Sequence, residues 1–176
     1  MIFTETKLSG AFIVDIEPRA DERGFFARTY CQREFERMGL KQTTAQCNWA
    51  YNVKAGTLRG MHWRDQPSPE AKLVRVARGA IVDVIVDLRP DSITYLQHVA
   101  IELSADNHRG LYVPCMFAHG FQTLVEHTDV LYQMSEFYDP QYDRGARWDD
   151  PAFGIEWPLH HPVLNERDRS YADFSS

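Results

Sequence analysis

Nothing in the 176-residue sequence is long and apolar enough to span a bilayer as a helix. The most apolar stretch, residues 80–86, is interrupted by Asp83 and falls far short of the ~20 residues required. The opening residues lack the basic region and apolar core of a secretory signal. Cysteine is scarce: Cys31, Cys47 and Cys115 form no C-x-x-C pair, and an odd number leaves at least one unpaired. The expectation is three free thiols in a reducing cytoplasm. Basic runs are missing too. Lys+Arg 19 against Asp+Glu 25 gives a net charge of −6, which argues against non-specific nucleic-acid binding. A few arginines in one cleft can still receive a small anion. No internal repeat, low-complexity tract or linker is visible, so residues 1–176 are expected to form one domain.

What is present is ordinary globular material, with hydrophobic residues at 44% and charged residues at 25%. β-Branched and aromatic residues concentrate in 12–16, 24–30, 71–77, 80–88, 96–103, 111–114, 120–125 and 130–137, each expected as a strand. Turn-formers such as Arg78-Gly79, Pro90-Asp91-Ser92 and Ala105-Asp106-Asn107 separate several of them. Strands joined by short turns predict an antiparallel sandwich or barrel. One helix is expected where Thr29-Tyr30-Cys31-Gln32 reads as a capping box, with Phe35 and Met38 on one face and Gly39 at its end. The tail after Trp157 reads as irregular or one short helix.

Several strand-like segments carry unusual polar residues. Arg59 and His62 sit beside Gly56 and Gly60, Lys72 opens an apolar strand, and His119 lies between Phe117 and Phe121. Tyr132 and Tyr138 are six residues apart and share a face if one regular strand holds both. Each has a plainer reading: a hydrogen-bonded structural histidine, a packed tyrosine, or an edge lysine that discourages aggregation. Together inside one barrel they would form an acid–base set with an anion stabiliser, which is what moving a proton next to a carbonyl requires.

A metal site is the other reading of the same residues. Metal-binding cupin barrels use an H-x-H pair, a nearby Glu and a distant His, but Arg64 stands where the second His belongs. Glu70 and His119 alone remain as partners for His62, so the ligand set is incomplete and no metal or other cofactor is expected.

The sequence resembles the dTDP-4-dehydrorhamnose 3,5-epimerase family. The resemblance is carried by Asp21-Glu22-Arg23-Gly24-Phe25-Phe26, Leu58-Arg59-Gly60-Met61-His62, Lys72-Leu73-Val74-Arg75, Asp83-Val84-Ile85-Val86-Asp87-Leu88-Arg89, Val113-Pro114 with Phe117-Ala118-His119-Gly120-Phe121, Leu131-Tyr132 and Gly154-Ile155-Glu156-Trp157-Pro158. These segments run in family order from residue 21 to residue 158. The resemblance implies an all-β cupin jelly-roll barrel with a few short helices, a homodimer, and epimerisation at C3 and/or C5 of a nucleotide-linked 4-keto-6-deoxy sugar without a metal. It implies His62 as general base, Tyr132 as general acid, Asp168 as the carboxylate that orients the histidine, and Lys72 near the C4 oxygen. It places Arg23, Arg28, Gln46, Asn48, Arg59, His119, Tyr138, Asp143 and Arg167 at substrate-contacting positions. A metal-dependent cupin enzyme and an inactive sugar-binding protein are the alternatives; the intact His62, Lys72 and Tyr132 argue against the second.

These residue types suit the implied chemistry. Removal of a proton α to a ketone needs a base such as imidazole and a fixed positive charge near the developing enolate. Inversion needs a proton donor on the other face of the ring. Guanidinium forks suit a diphosphate. The sequence also departs from the family pattern: Arg28 replaces a usual glutamate, Cys47 an acidic residue, Trp49 a common histidine, and Arg167 a lysine. If Arg28 and Cys47 face the ligand, the pocket becomes more positive, and altered substrate choice or inversion at a single centre is expected.

Overall fold

The computed structural model describes residues 1–41 and 43–175. Thirteen strands are formed among them: β1 (Ile2–Glu5), β2 (Phe12–Asp15), β3 (Arg19–Asp21), β4 (Gly24–Phe26), β5 (Gln46–Asn52), β6 (Leu58–Arg64), β7 (Lys72–Arg78), β8 (Ala80–Asp87), β9 (His98–Ser104), β10 (Gly110–Val113), β11 (Phe117–Thr123), β12 (Thr128–Met134) and β13 (Asp143–Gly145). Two short helices accompany them, α1 (Gln32–Arg37) and α2 (Glu166–Ser170). The strands make a six-stranded sheet in the order β1-β2-β10-β7-β12-β5, a five-stranded sheet in the order β13-β6-β11-β8-β9, and the separate hairpin β3-β4. All of these strand pairs are antiparallel, as expected for a jelly roll.

Period-two alternation explains how the sheets stack. Val74, Val76, Leu111 and Val130 of the larger sheet meet Ile81, Ile85, Leu103, Phe117 and Phe121 of the smaller one in the central core. The intervening Val84 and Val86 of β8 turn to the opposite side, where Phe153, Trp157 and other residues of the C-terminal segment cover them. β8 is therefore buried on both faces, which is why it reads as an almost continuous apolar run. On the outside of the larger sheet, Phe35 of α1 packs with Phe12, Leu73 and Tyr112.

The expected capping box is corrected. The helix begins after Cys31, which makes no side-chain cap bond, while the Thr29 carbonyl accepts from Arg75 Nη2 at 3.1 Å. Met38 ends the helix and is exposed, so it does not share the buried face of Phe35. The strand expected over 130–137 stops at Met134; Tyr138 lies outside any strand and does not share a strand face with Tyr132. The strand expected over 24–30 is only Gly24–Phe26. In the tail, Asn165 caps α2 by accepting from the Asp168 N–H at 2.7 Å. All three cysteines are free. Among the described residues no helix is long and apolar enough to cross a membrane.

Candidate active site

Between the two sheets, at one end of the central core, the inward positions change from apolar to polar. Asn48 and Ala50 of β5, Arg59 and His62 of β6, Lys72 of β7, His119 and Phe121 of β11, Tyr132 and Met134 of β12, and Asn165, Arg167 and Asp168 around α2 line a cavity of about 350 Å³. The strand register explains the gathering. His62 lies opposite His119, Tyr132 opposite both Asn48 and Val74, and Met134 opposite Lys72. β6 and β11 approach closely because Gly60 and Gly120 meet there. A Cβ on Gly60, whose φ is +139°, would stand 2.6 Å from the Gly120 Cα.

His62 is 33% exposed, and its Nε2 lies 2.7 Å from Oδ1 of Asp168, which is 1% exposed. An ionised carboxylate only accepts, so Nε2 carries the hydrogen and Nδ1 keeps its lone pair. The second oxygen of Asp168 accepts from the Gly60 N–H at 3.4 Å, and the ring of Tyr171 stands edge-on to His62 at 5.8 Å. His119 forms a second imidazole–carboxylate pair, with Nε2 2.7 Å from Asp83 Oδ1, both residues being buried. Tyr132 packs edge-on against His119 and tilted against Phe121, with ring centroids 6.2 and 6.3 Å away. Burial pushes its hydroxyl well above the usual phenol range. The Asp83 charge adds to this and Arg59 opposes it. Arg59 Nε donates to Asn52 Oδ1 at 2.9 Å.

Of the residues expected from sequence, His62, Tyr132, Asp168, Lys72, Asn48, Arg59, His119 and Arg167 line this one cavity. Gln46 points inward beside it, its side-chain carbonyl accepting from the Tyr138 N–H. Asp143 lies behind the lining, 3.6 Å from Arg167 and 3.9 Å from Arg64. Arg23 sits at the exposed turn of the β3-β4 hairpin, paired with Asp21. Arg28 is paired with Glu34 of α1 at 3.0 Å, outside the cavity of its own chain. Cys47 and Trp49 alternate with Asn48 and Ala50 on β5 and are exposed on its outer side. The expectation that Cys47 faces the ligand is therefore corrected by the pleat.

Sequence reasoning did not single out Asp83 or Asn165. Asp83 had a readable signal, an acidic residue in the inward register Ile81-Asp83-Ile85 of an otherwise apolar strand. Glu70 and His119 do not join His62 as a ligand set: Glu70 lies near Arg64 and Lys72, and His119 is held by Asp83. Among the described residues no three His, Cys, Asp or Glu side chains converge on a metal-sized site.

Comparison with known proteins follows the same line. A family model described as dTDP-4-dehydrorhamnose 3,5-epimerase matches residues 5–176. An enzyme of that description from Methanothermobacter thermautotrophicus is 42% identical over 172 residues, covering 96% of this chain and 92% of the relative. The crystal structure of the Bacillus anthracis dTDP-4-dehydrorhamnose 3,5-epimerase, with TDP and PPi bound, superposes with a TM-score of 0.95 at 42% identity. The match covers 98% of this chain and 99% of that one. A Legionella pneumophila dTDP-6-deoxy-D-glucose-3,5-epimerase in complex with dTDP-4-keto-L-rhamnose gives 0.92 at 32% identity, over 98% and 92% of the two chains.

Proposed function

The chain belongs to the dTDP-4-dehydrorhamnose 3,5-epimerase family and is an isomerase, and from that premise we propose that it inverts both C3 and C5 of a dTDP-linked 4-keto-6-deoxy sugar through His62 and Tyr132. The observation that carries this reading is the placement of the pair. His62, backed by Asp168, stands on the smaller sheet, and Tyr132 stands on the larger sheet across the same cavity. A sugar ring between them presents opposite faces to a base and to an acid.

In each half-reaction the C–H bond next to the C4 ketone breaks and its proton passes to His62 Nδ1. The electron pair moves onto the C4 oxygen as an enolate. Asp168 holds the imidazole by its Nε2 hydrogen and stabilises the imidazolium that forms. Lys72 places a positive charge at the cavity wall where the enolate develops. Tyr132 then delivers its hydroxyl proton to the carbon from the other face and is later reprotonated from solvent. Burial of that hydroxyl keeps it protonated until the enolate is there to receive the proton. Arg59, Asn48, His119 and Arg167 are assigned to substrate binding, with Arg59 on the diphosphate. Gln46, Tyr138 and Asp143 act from the cavity margin.

The proposal includes one domain, a cytoplasmic setting and a homodimer. The β3-β4 hairpin carries Phe25 and Phe26 into solvent, Phe26 at 76% exposure, and pairing of two copies would cover them. With Arg28 paired to Glu34 of α1 and Cys47 turned outward, nothing in the cavity among the described residues favours single-centre inversion. Incubation with dTDP-4-keto-6-deoxyglucose in D₂O tests the reading. Two deuterons, located at C3 and C5 by NMR, are expected; one deuteron would restrict the reaction to one centre, and none would overturn the reading.

A further inference from the structure

Behind the cavity lining, five charged side chains of alternating sign form a chain. Lys72 Nζ lies 3.6 Å from Glu70 Oε1, and Arg64 Nη1 lies 3.7 Å from Glu70 Oε2. Arg64 Nε lies 3.9 Å from Asp143 Oδ1, and Arg167 Nη2 lies 3.6 Å from Asp143 Oδ2. The two ends, Lys72 and Arg167, line the cavity, whereas the three middle residues do not. We propose that Glu70 and Arg64 are positioning residues that fix the two cavity cations relative to one another, with Arg64 as the shared anchor. The proposal rests on the epimerase reading above and adds residues to it.

Burial makes this placement costly and therefore informative. The Arg64 side chain is 3% exposed and that of Glu70 is 6% exposed. Buried ion pairs seldom stabilise a fold more than apolar packing of the same volume would, so stability alone is a poor reason for this pair. Arg64 is held in place by neutral groups: Nη1 donates to the Phe137 carbonyl at 2.7 Å and Nη2 to Ser68 Oγ at 3.2 Å. Its Nε is buried with no hydrogen-bond partner among the described residues and faces Asp143. Asp143 is also its cross-strand neighbour, since β13 pairs with β6 at that position.

The arithmetic of charge gives the network its use. Glu70 beside Lys72 alone would cancel the field an enolate needs. Arg64 on the second oxygen of Glu70 shares that negative charge, and the five residues together keep one net positive charge at the cavity. Glu70 then restrains the Lys72 ammonium without neutralising it. Misplacing that charge weakens a stabilisation specific to the transition state, so kcat should suffer more than ground-state binding.

The test compares Glu70→Gln, Arg64→Met and Arg64→Lys with wild type on dTDP-4-keto-6-deoxyglucose, with dTDP affinity and melting temperature measured alongside. Glu70→Gln is expected to lower kcat by ~10-fold or more with KM and dTDP affinity within ~3-fold; Arg64→Met, which also loosens Arg167, should lower kcat as much and raise KM; Arg64→Lys should recover part of the loss. In a Lys72→Met background, Glu70→Gln should change the residual deuterium exchange by less than ~2-fold, because its effect passes through the lysine. Wild-type kcat in Glu70→Gln would overturn the proposal. So would a parallel fall of kcat, dTDP affinity and melting temperature in both Glu70→Gln and Arg64→Lys, or full additivity with Lys72→Met. A wild-type protein that exchanges no deuterium would instead overturn the functional reading beneath it.

Discussion

Asp168 lies 106 residues beyond His62 in the chain, yet its carboxylate oxygen is 2.7 Å from the imidazole Nε2. The two residues belong to different kinds of structure, an interior strand and a five-residue helix near the end of the sequence. What joins them is the segment before α2. Its Val163 accepts from the Leu58 N–H at 2.9 Å and donates to the Gly56 carbonyl at 2.8 Å, stitching the tail to the start of β6. Asn165 then caps the helix through the Asp168 N–H, so the residue that starts the turn also fixes the backbone from which the carboxylate extends.

The base role proposed for His62 predicts how its variants fail. His62→Asn should abolish deuterium incorporation into the 4-keto sugar by at least ~10²-fold while leaving the melting temperature and dTDP binding near wild type. Asp168→Asn should lower kcat substantially but less completely, since the histidine remains. Wild-type exchange in His62→Asn would remove it from the base role.

Tyr132→Phe separates proton removal from proton delivery. The variant should still wash deuterium into the substrate, because His62 can return a solvent-derived proton to the face it came from. Net inversion, followed by NMR, should fall by ~10²-fold. Inversion at the wild-type rate would show that another donor serves that face.

Chelation supplies a third check. Activity should survive exhaustive EDTA treatment, and metal analysis of the purified protein should find no stoichiometric ion. Loss on chelation with recovery by one divalent metal would favour the metal-dependent cupin alternative.

Stability in acid should depend on Asp87. Burial opposes its charge, but hydrogen bonds from Arg89, Ser92 and Thr94 outweigh this and hold its carboxyl at about 2. A depressed carboxylate adds stability above its unfolded value near ~4 and loses it as pH falls through about 2, a contribution of up to ~2 kcal/mol. Denaturant titrations should show Asp87→Asn less stable than wild type at neutral pH, with the two curves converging between about pH 4 and pH 2. A gap independent of pH over that window would rule out this account.

The parts of the fold legible in the sequence were those with apolar material facing the core on one or both sides. β7, β8, β9 and β12 announce themselves that way, within a few residues at their ends. β5 does not, because its inward residues are the polar Gln46, Asn48 and Asn52 while Trp49 and Tyr51 face outward; cavity lining and core lining use the same pleat with opposite chemistry. The edge strands β1, β3 and β13 are too short to carry a periodic signal, and of the run over 24–30 only Gly24–Phe26 pairs, as β4. The residue types at the site were equally visible, since a histidine, a lysine and a tyrosine in strands are unusual. Of their partners only Asp168 was named, and that through the family resemblance. Nothing local ties Asp83 to His119 or Glu70 to Arg64, because those contacts are made across the sheets and loops.

The late position of α2 also orders events in time. A polypeptide emerges from the ribosome from its first residue onward, so β1 to β12 can pair and close their shared core before residue 168 has been added. Until then His62 stands on its wall without a carboxylate, facing a cavity that already holds Lys72 and Tyr132. A chain broken just before α2 would keep the apolar cover that Phe153 and Trp157 lay over β8, yet leave His62 without its carboxylate partner.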